Sequence, residues 1–341
     1  MILDGQSPHS IAAAAQALQR GELLGLPTET VYGLAGDACN EAAVAKIFAA
    51  KARPSNHPLI VHVASAQGVA HFAREVPEFA ARLMQAFWPG PLTLILPRRV
   101  GVAAAAAGGQ DSVGLRCPSH PVAQALLREA EQQGMPGLAA PSANMFGRVS
   151  PTTAAHVVDE FGPELLVLEG GACDVGIEST IVDCTRGMPV VLRPGLLTSQ
   201  QLGWACGQTL KTMAELQGAT DLQAPRASGT LASHYAPRAQ VRLIAAHDLV
   251  TELNRWALQS PASATLALWI GAQVQLPDSC KQRVQQQVMP QDAAACAHDL
   301  FAQLRAFDAQ AVTEIWIQNP PADSAWDGVR DRLMRAATPV R

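Results

Sequence analysis

Residues 25–38 read GLPTETVYGLAGDA. The ELLGLP leading into this stretch has the apolar density of a buried strand. The NEAAVAKIFAAK that follows has helical spacing, with Asn40 placed to cap it. Thr28, Glu29, Thr30 and Tyr32 therefore stand where a strand gives way to a loop, the position at which α/β proteins hold their ligands. Three hydroxyls and a carboxylate so close together imply a small polar ligand.

Working outward, the alternation continues. Ser7 and Pro8 suit the start of a helix over HSIAAAAQALQR, which Gly21 ends. PLIVHVA (58–64), LTLILP, SVGLRCP, GLAAPSAN, ELLVLEGG, STIVDC and VVLRPG have strand character. PEFAARLMQAFW (77–88) and PVAQALLREAEQQ are helical, and AAAAAGG (103–109) reads as a mobile loop. Residues 1–203 thus form an α/β or mixed α+β domain. Residues 207–238 lose hydrophobic periodicity and read as an extended linker. VRLIAA, TLALWIG and VTEIWIQ, interleaved with helical segments, then give a βαβαβα unit with a parallel sheet over 239–341.

The chain has 341 residues, of which 48% are hydrophobic and 16% charged, so two domains with sizeable cores are expected and disorder is not. A net charge of −4 argues against a protein whose main task is to coat nucleic acid. Seven cysteines without paired spacing read as reduced thiols, with neither a disulfide framework nor a zinc site. MILDGQSPHS lacks the features of a signal peptide, and no apolar run is long enough for a membrane helix. A cytoplasmic location is expected.

No GxxxxGK[ST] loop, GxGxxG, HExxH or GxSxG is present. A bound nucleotide must then be held by side chains. Lys51 and Arg53 offer a point charge and a planar fork for phosphate, or alternatively satisfy the last carbonyls of their helix. Arg116 and Arg193 each end an apolar strand, where an arginine must reach solvent, a carboxylate or a bound anion. His62 interrupts LIVHV as a ligand contact or a core histidine, while Ser142, Asn144, Ser179 and Thr180 add polar groups at strand ends. Such a set suits a concave pocket for a polyanion beside a small polar molecule. Without a protein nucleophile, the chemistry it fits is phosphoryl or nucleotidyl transfer.

PTETVYGL, KARPSNHPLIVH, WPGPLTLIL, VGLRCP, APSAN, GIESTIVD, LRPG and SHYAP stand here in one order. In this the chain resembles the YrdC/Sua5 family over nearly its whole length. The resemblance implies a YrdC-type twisted, mixed open sheet with helices around a concave pocket, plus a smaller Rossmann-like α/β domain. Its domains are a catalytic 1–203, a linker 204–238 folding over the site, and a Sua5 C-terminal domain 239–341. The implied activity is synthesis of threonylcarbamoyl-AMP from L-threonine, bicarbonate or CO2 and ATP, with release of pyrophosphate. This is the first step in tRNA threonylcarbamoyladenosine modification, completed by a partner transferase complex.

Carried over by motif, Thr30, His62, Arg116, Ala140 and Ser179 bind threonine. Arg53, His57, Ser112, Ser142, Ser150, Arg193, Ser233 and Tyr235 bind ATP. Lys51 and Arg53 serve the reacting phosphates, Mg2+ accompanies ATP, and no protein-held metal is expected. Glu29 stays open between metal support and local hydrogen bonding. Ser228-Gly229-Thr230 departs from the family's usual Pro-Gly-Met before the linker tyrosine, which leaves the linker's path open. A weaker alternative is an RNA-binding, ribosome-associated module without catalysis. Another is the carbamoyltransferase of hydrogenase maturation, whose cysteine-rich zinc fingers this chain lacks.

Overall fold

The computed structural model describes residues 1–216, 225–230 and 234–338. The chain divides into two compact units, the first formed by 1–146 with 150–230 and the second by 147–149 with 231–341.

In the first unit the strands are β1 (Ile2–Asp4), β2 (Leu24–Leu26), β3 (Gly33–Asp37), β4 (Ile60–His62), β5 (Leu92–Pro97) and β6 (Ser112–Arg116). They continue with β7 (Leu138–Ala139), β8 (Leu166–Glu169), β9 (Thr180–Asp183), β10 (Val190–Arg193) and β11 (Lys211–Thr212). Together they make one mixed 11-stranded sheet in the order β1-β8-β2-β3-β7-β4-β6-β5-β9-β10-β11. The expected mixed sheet is present. β3 is an addition, since GLAGD carries two glycines and no β-branched residue and so shows little strand propensity. It pairs antiparallel with β2 and β7, which fixes the PTET loop at one end of the sheet.

Local signals explain the helices. Asn40 accepts hydrogen bonds from the Ala42 and Ala43 amides and caps the helix Glu41–Ala50. Pro8 opens Pro8–Gln19, and Gly21, at φ +73°, turns the chain out of it. Leu18, Leu24, Leu126 and Leu168 share one apolar cluster, and Leu34, Ile47, Leu83 and Leu94 share another. The alanine-rich stretch 103–109 differs from expectation. Ala106 and Ala107 are fully buried, and the Ala106 carbonyl accepts from the Leu59 amide at 2.7 Å. Small side chains here permit close packing of turns.

The second unit carries β12 (Gln240–Ile244), β13 (Leu266–Ile270), β14 (Val284–Val288) and β15 (Glu314–Gln318), all parallel, in the order β12-β15-β13-β14. The parallel sheet matches the sequence reading, with one more strand. β14 is VQQQV, an edge strand whose three glutamines hide its apolar alternation. Within the segment read as an extended linker lie β11 and a short helix, Met213–Leu216.

Candidate functional site

Strand register brings the sequence-selected residues together. β4 and β6 run parallel, with His62 opposite Arg116 and Ile60 opposite Gly114. Residues two apart on a strand share a face. His62 and Arg116 therefore stand one step along the sheet from Ile60 and Gly114, which line a small void of about 10 Å³ together with Thr93, Ser112 and Ser228.

Arg116 is the centre of the first group. Its Nη1 donates to Thr30 Oγ1 at 2.7 Å, and Thr30 Oγ1 lies 2.9 Å from Thr28 Oγ1. Its Nη2 lies 2.7 Å from Glu29 Oε1, with both side chains only 5% exposed. This is an ion pair by distance but not an aligned hydrogen bond: Nη2 and both carboxylate oxygens are buried without a hydrogen-bond partner. His62 is buried beside them, its Nδ1 likewise without a partner. Burial first, then the Arg116 charge, push the His62 pKa down to about 3, so its ring is neutral near pH 7. Ala140 is held against β4 through its amide, which donates to the Ile60 carbonyl.

The second group gathers the remaining cations. Arg193, at the end of β10, donates through Nη2 to the Ser179 carbonyl at 2.9 Å and to Ser179 Oγ at 3.2 Å. Ser179 Oγ also lies 2.7 Å from Thr93 Oγ1. Arg193 Nη1 reaches the Ser228 carbonyl at 3.0 Å. Arg53 Nη2 donates to the Pro58 carbonyl at 2.8 Å and to Ser228 Oγ at 2.9 Å. Residues 225–230 thus form a strap tied to both arginines. The Ser228 hydroxyl makes one of those ties.

Lys51 reaches neither the last turn of its own helix nor solvent. Its Nζ donates to the Ser142 carbonyl at 2.6 Å and to the Asn144 carbonyl. Burial, and secondarily the Arg53 charge, lower its pKa well below the usual lysine value. Ser150 donates to Glu178. His57 lies edge-on to Phe146, with ring centroids 5.4 Å apart, and Arg53 stands over the same ring at 5.6 Å. Burial and Arg53 lower the His57 pKa.

Tyr235 belongs to the second unit, where it is buried with its ring 5.3 Å from Phe301 and 5.5 Å from the Arg332 guanidinium. Ser233 lies outside the described residues. The sequence assigned no role to Thr93, Glu178 or Ser228. Thr93 left a signal, a lone hydroxyl within the apolar run LTLIL, whereas the role of Ser228 depends on chain path.

These features define an α/β protein with a buried carboxylate–guanidinium centre and a group of buried cations, Lys51, Arg53 and Arg193. The chain belongs to the Sua5/YciO/YrdC family. That family's model, described by the words "telomere recombination", matches residues 16–195, and the threonylcarbamoyl-AMP synthase C-terminal domain matches 198–338. The threonylcarbamoyl-AMP synthase of Bacillus subtilis is 35% identical, over 96% of this chain and 92% of its own. The threonylcarbamoyl-AMP synthase of Pyrococcus abyssi is 41% identical, over 69% of this chain and 67% of its own. The crystal structure of P. abyssi Sua5 complexed with L-threonine superimposes with a TM-score of 0.87 at 32% identity, covering 99% of this chain and 97% of the other.

Proposed function

We propose that this chain is a threonylcarbamoyl-AMP synthase, a nucleotidyltransferase acting in the cytoplasm at the start of tRNA threonylcarbamoyladenosine modification. The observation that carries the reading is the Arg116 centre. A buried guanidinium bonded to Thr30 and facing Glu29 suits a small amino acid, and it lies one strand step from a void edged by the strap that Arg53 and Arg193 hold.

In the proposed reaction the threonine amine loses a proton and adds to CO2, or to bicarbonate with loss of water, giving a carbamate. A carbamate oxygen then attacks the α-phosphorus of ATP, and pyrophosphate leaves. Arg116 and Thr30 hold the threonine carboxylate, while His62 and Ala140 close its subsite. Arg53 and Arg193 neutralise developing charge on the phosphates, with Lys51 behind them. Such preorganised donors supply most of what this kind of transfer asks of a protein. Ser112, Ser142, Ser150 and His57 line the nucleotide side, and Ser179, tied to Arg193, completes the threonine subsite. Among the described residues no cluster of three or more metal-ligating side chains occurs. The proposed Mg2+ would be carried on the ATP phosphates, as Mg2+ commonly is, and Glu178, which accepts from Ser150, is a carboxylate that could support it. The product passes to a separate transferase complex that carries the threonylcarbamoyl group to tRNA.

Pyrophosphate release from ATP by the purified chain tests the reading. Release is expected only with L-threonine and bicarbonate present together. Release that ignores threonine would overturn it.

A further inference from the structure

We infer that Glu29 is the residue that makes this pocket select an α-amino acid, by taking the substrate's ammonium group while Arg116 takes its carboxylate. The inference rests on the threonine reading above and adds a role to a residue which that reading leaves unassigned.

Glu29 and Arg116 neutralise one another across 2.7 Å, both almost wholly out of solvent. Neither is saturated. Both Glu29 oxygens and Arg116 Nη2 are buried without a hydrogen bond. Buried polar groups are nearly always bonded, so Glu29 Oε2, which has no partner, and the poorly aligned Oε1–Nη2 contact point to a ligand that completes them. Acceptor oxygens and a donor nitrogen together call for a molecule with both a donor cation and an acceptor anion.

A zwitterion meets this demand. Its carboxylate extends the Thr30–Arg116 bond network, its ammonium donates to Glu29, and one buried ion pair becomes two with no net charge added. An acid without the amine would draw Arg116 away and leave Glu29 buried with no counter-charge, an arrangement that is strongly penalised. The neighbouring groups do not supply a substitute cation. His62 is neutral near pH 7, and Cys173 is held as a thiol by burial and by the Glu29 charge itself. The backbone keeps Glu29 in place: its carbonyl accepts from the Val175 amide at 2.7 Å, and Thr28 Oγ1 ties the loop to the Val31 carbonyl at 2.6 Å.

Calorimetric titration of the full chain with L-threonine and with its 2-hydroxy analogue, in which a hydroxyl replaces the amine, tests the inference. The wild-type chain is expected to favour threonine by on the order of a hundredfold. In Glu29→Gln this preference should fall to within about fivefold, through weaker threonine binding, while ATP binding stays unchanged. A variant that keeps the wild-type preference, or that weakens both ligands equally, would overturn the role and leave Glu29 as a support for Arg116. Should Glu29→Gln not fold, the wild-type titration decides: a preference under about threefold contradicts the inference. A wild-type chain that binds no threonine at all would instead sink the substrate reading.

Discussion

Arg116 was conspicuous in the sequence because a strand-end arginine cannot stay buried and unpaired, and the structure supplies its partners in Thr30 and Glu29. That partnership was not legible in the sequence, because it joins a loop to a strand far along the chain. Arg116→Ala should cost about 3–5 kcal/mol of stability by stranding the Glu29 carboxylate. Adding Glu29→Gln should recover much of this in urea melts without restoring threonine binding. His62 makes a separate prediction. Its folded pKa, about 3, lies below the usual 6.5 of an unfolded chain, so below pH 6.5 the unfolded state binds more protons. Stability from this site is then fully present above pH 6.5 and lost as pH falls toward 3, at about 1.4 kcal/mol per unit. Urea midpoints of wild type and His62→Asn should converge on acidification; parallel curves would contradict the assignment.

At the scale of elements, the strong periods and caps were readable, and the strands with weak alternation were not. β3 is rich in glycine and β14 in glutamine, so tertiary pairing alone makes them strands. The strap 225–230 was unreadable for another reason, since its contacts with Arg53 and Arg193 depend on chain path. Ser228→Ala removes a hydroxyl that accepts from Arg53 and donates to the Pro58 carbonyl. Hydrogen exchange of residues 225–230 should accelerate by about tenfold for each 1.4 kcal/mol of tethering lost. Unchanged exchange would mean that the tie does not hold the strap. Gly195 marks a close approach of a different kind. A Cβ there would meet the Thr180 amide nitrogen at 2.6 Å. Gly195→Ala is therefore expected to cost about 1–3 kcal/mol in melts and to displace the Arg193–Ser179 pairing.

For the whole molecule, composition anticipated reduced thiols, and all seven cysteines are free, with six buried and Cys39 exposed. Thiol titration should find one reactive group in the native chain and seven after denaturation. Partial desolvation of its sulfur, and then the Asp37 charge, push the Cys39 pKa up to about 11, so that reaction should quicken as pH rises. The ordered motifs carried the family over nearly the whole chain, and the sheet register explains why strands of the first unit bring theirs together. His62 and Arg116, from separate motifs, are direct neighbours on β4 and β6. The central claim is that one pocket joins three substrates, and isotope-labelled bicarbonate tests it most directly. Incubated with ATP, Mg2+ and L-threonine, the chain should form an adenylate containing threonine and the labelled carbon, in step with pyrophosphate. An adenylate of threonine without that carbon, or pyrophosphate without labelled product, would contradict the account.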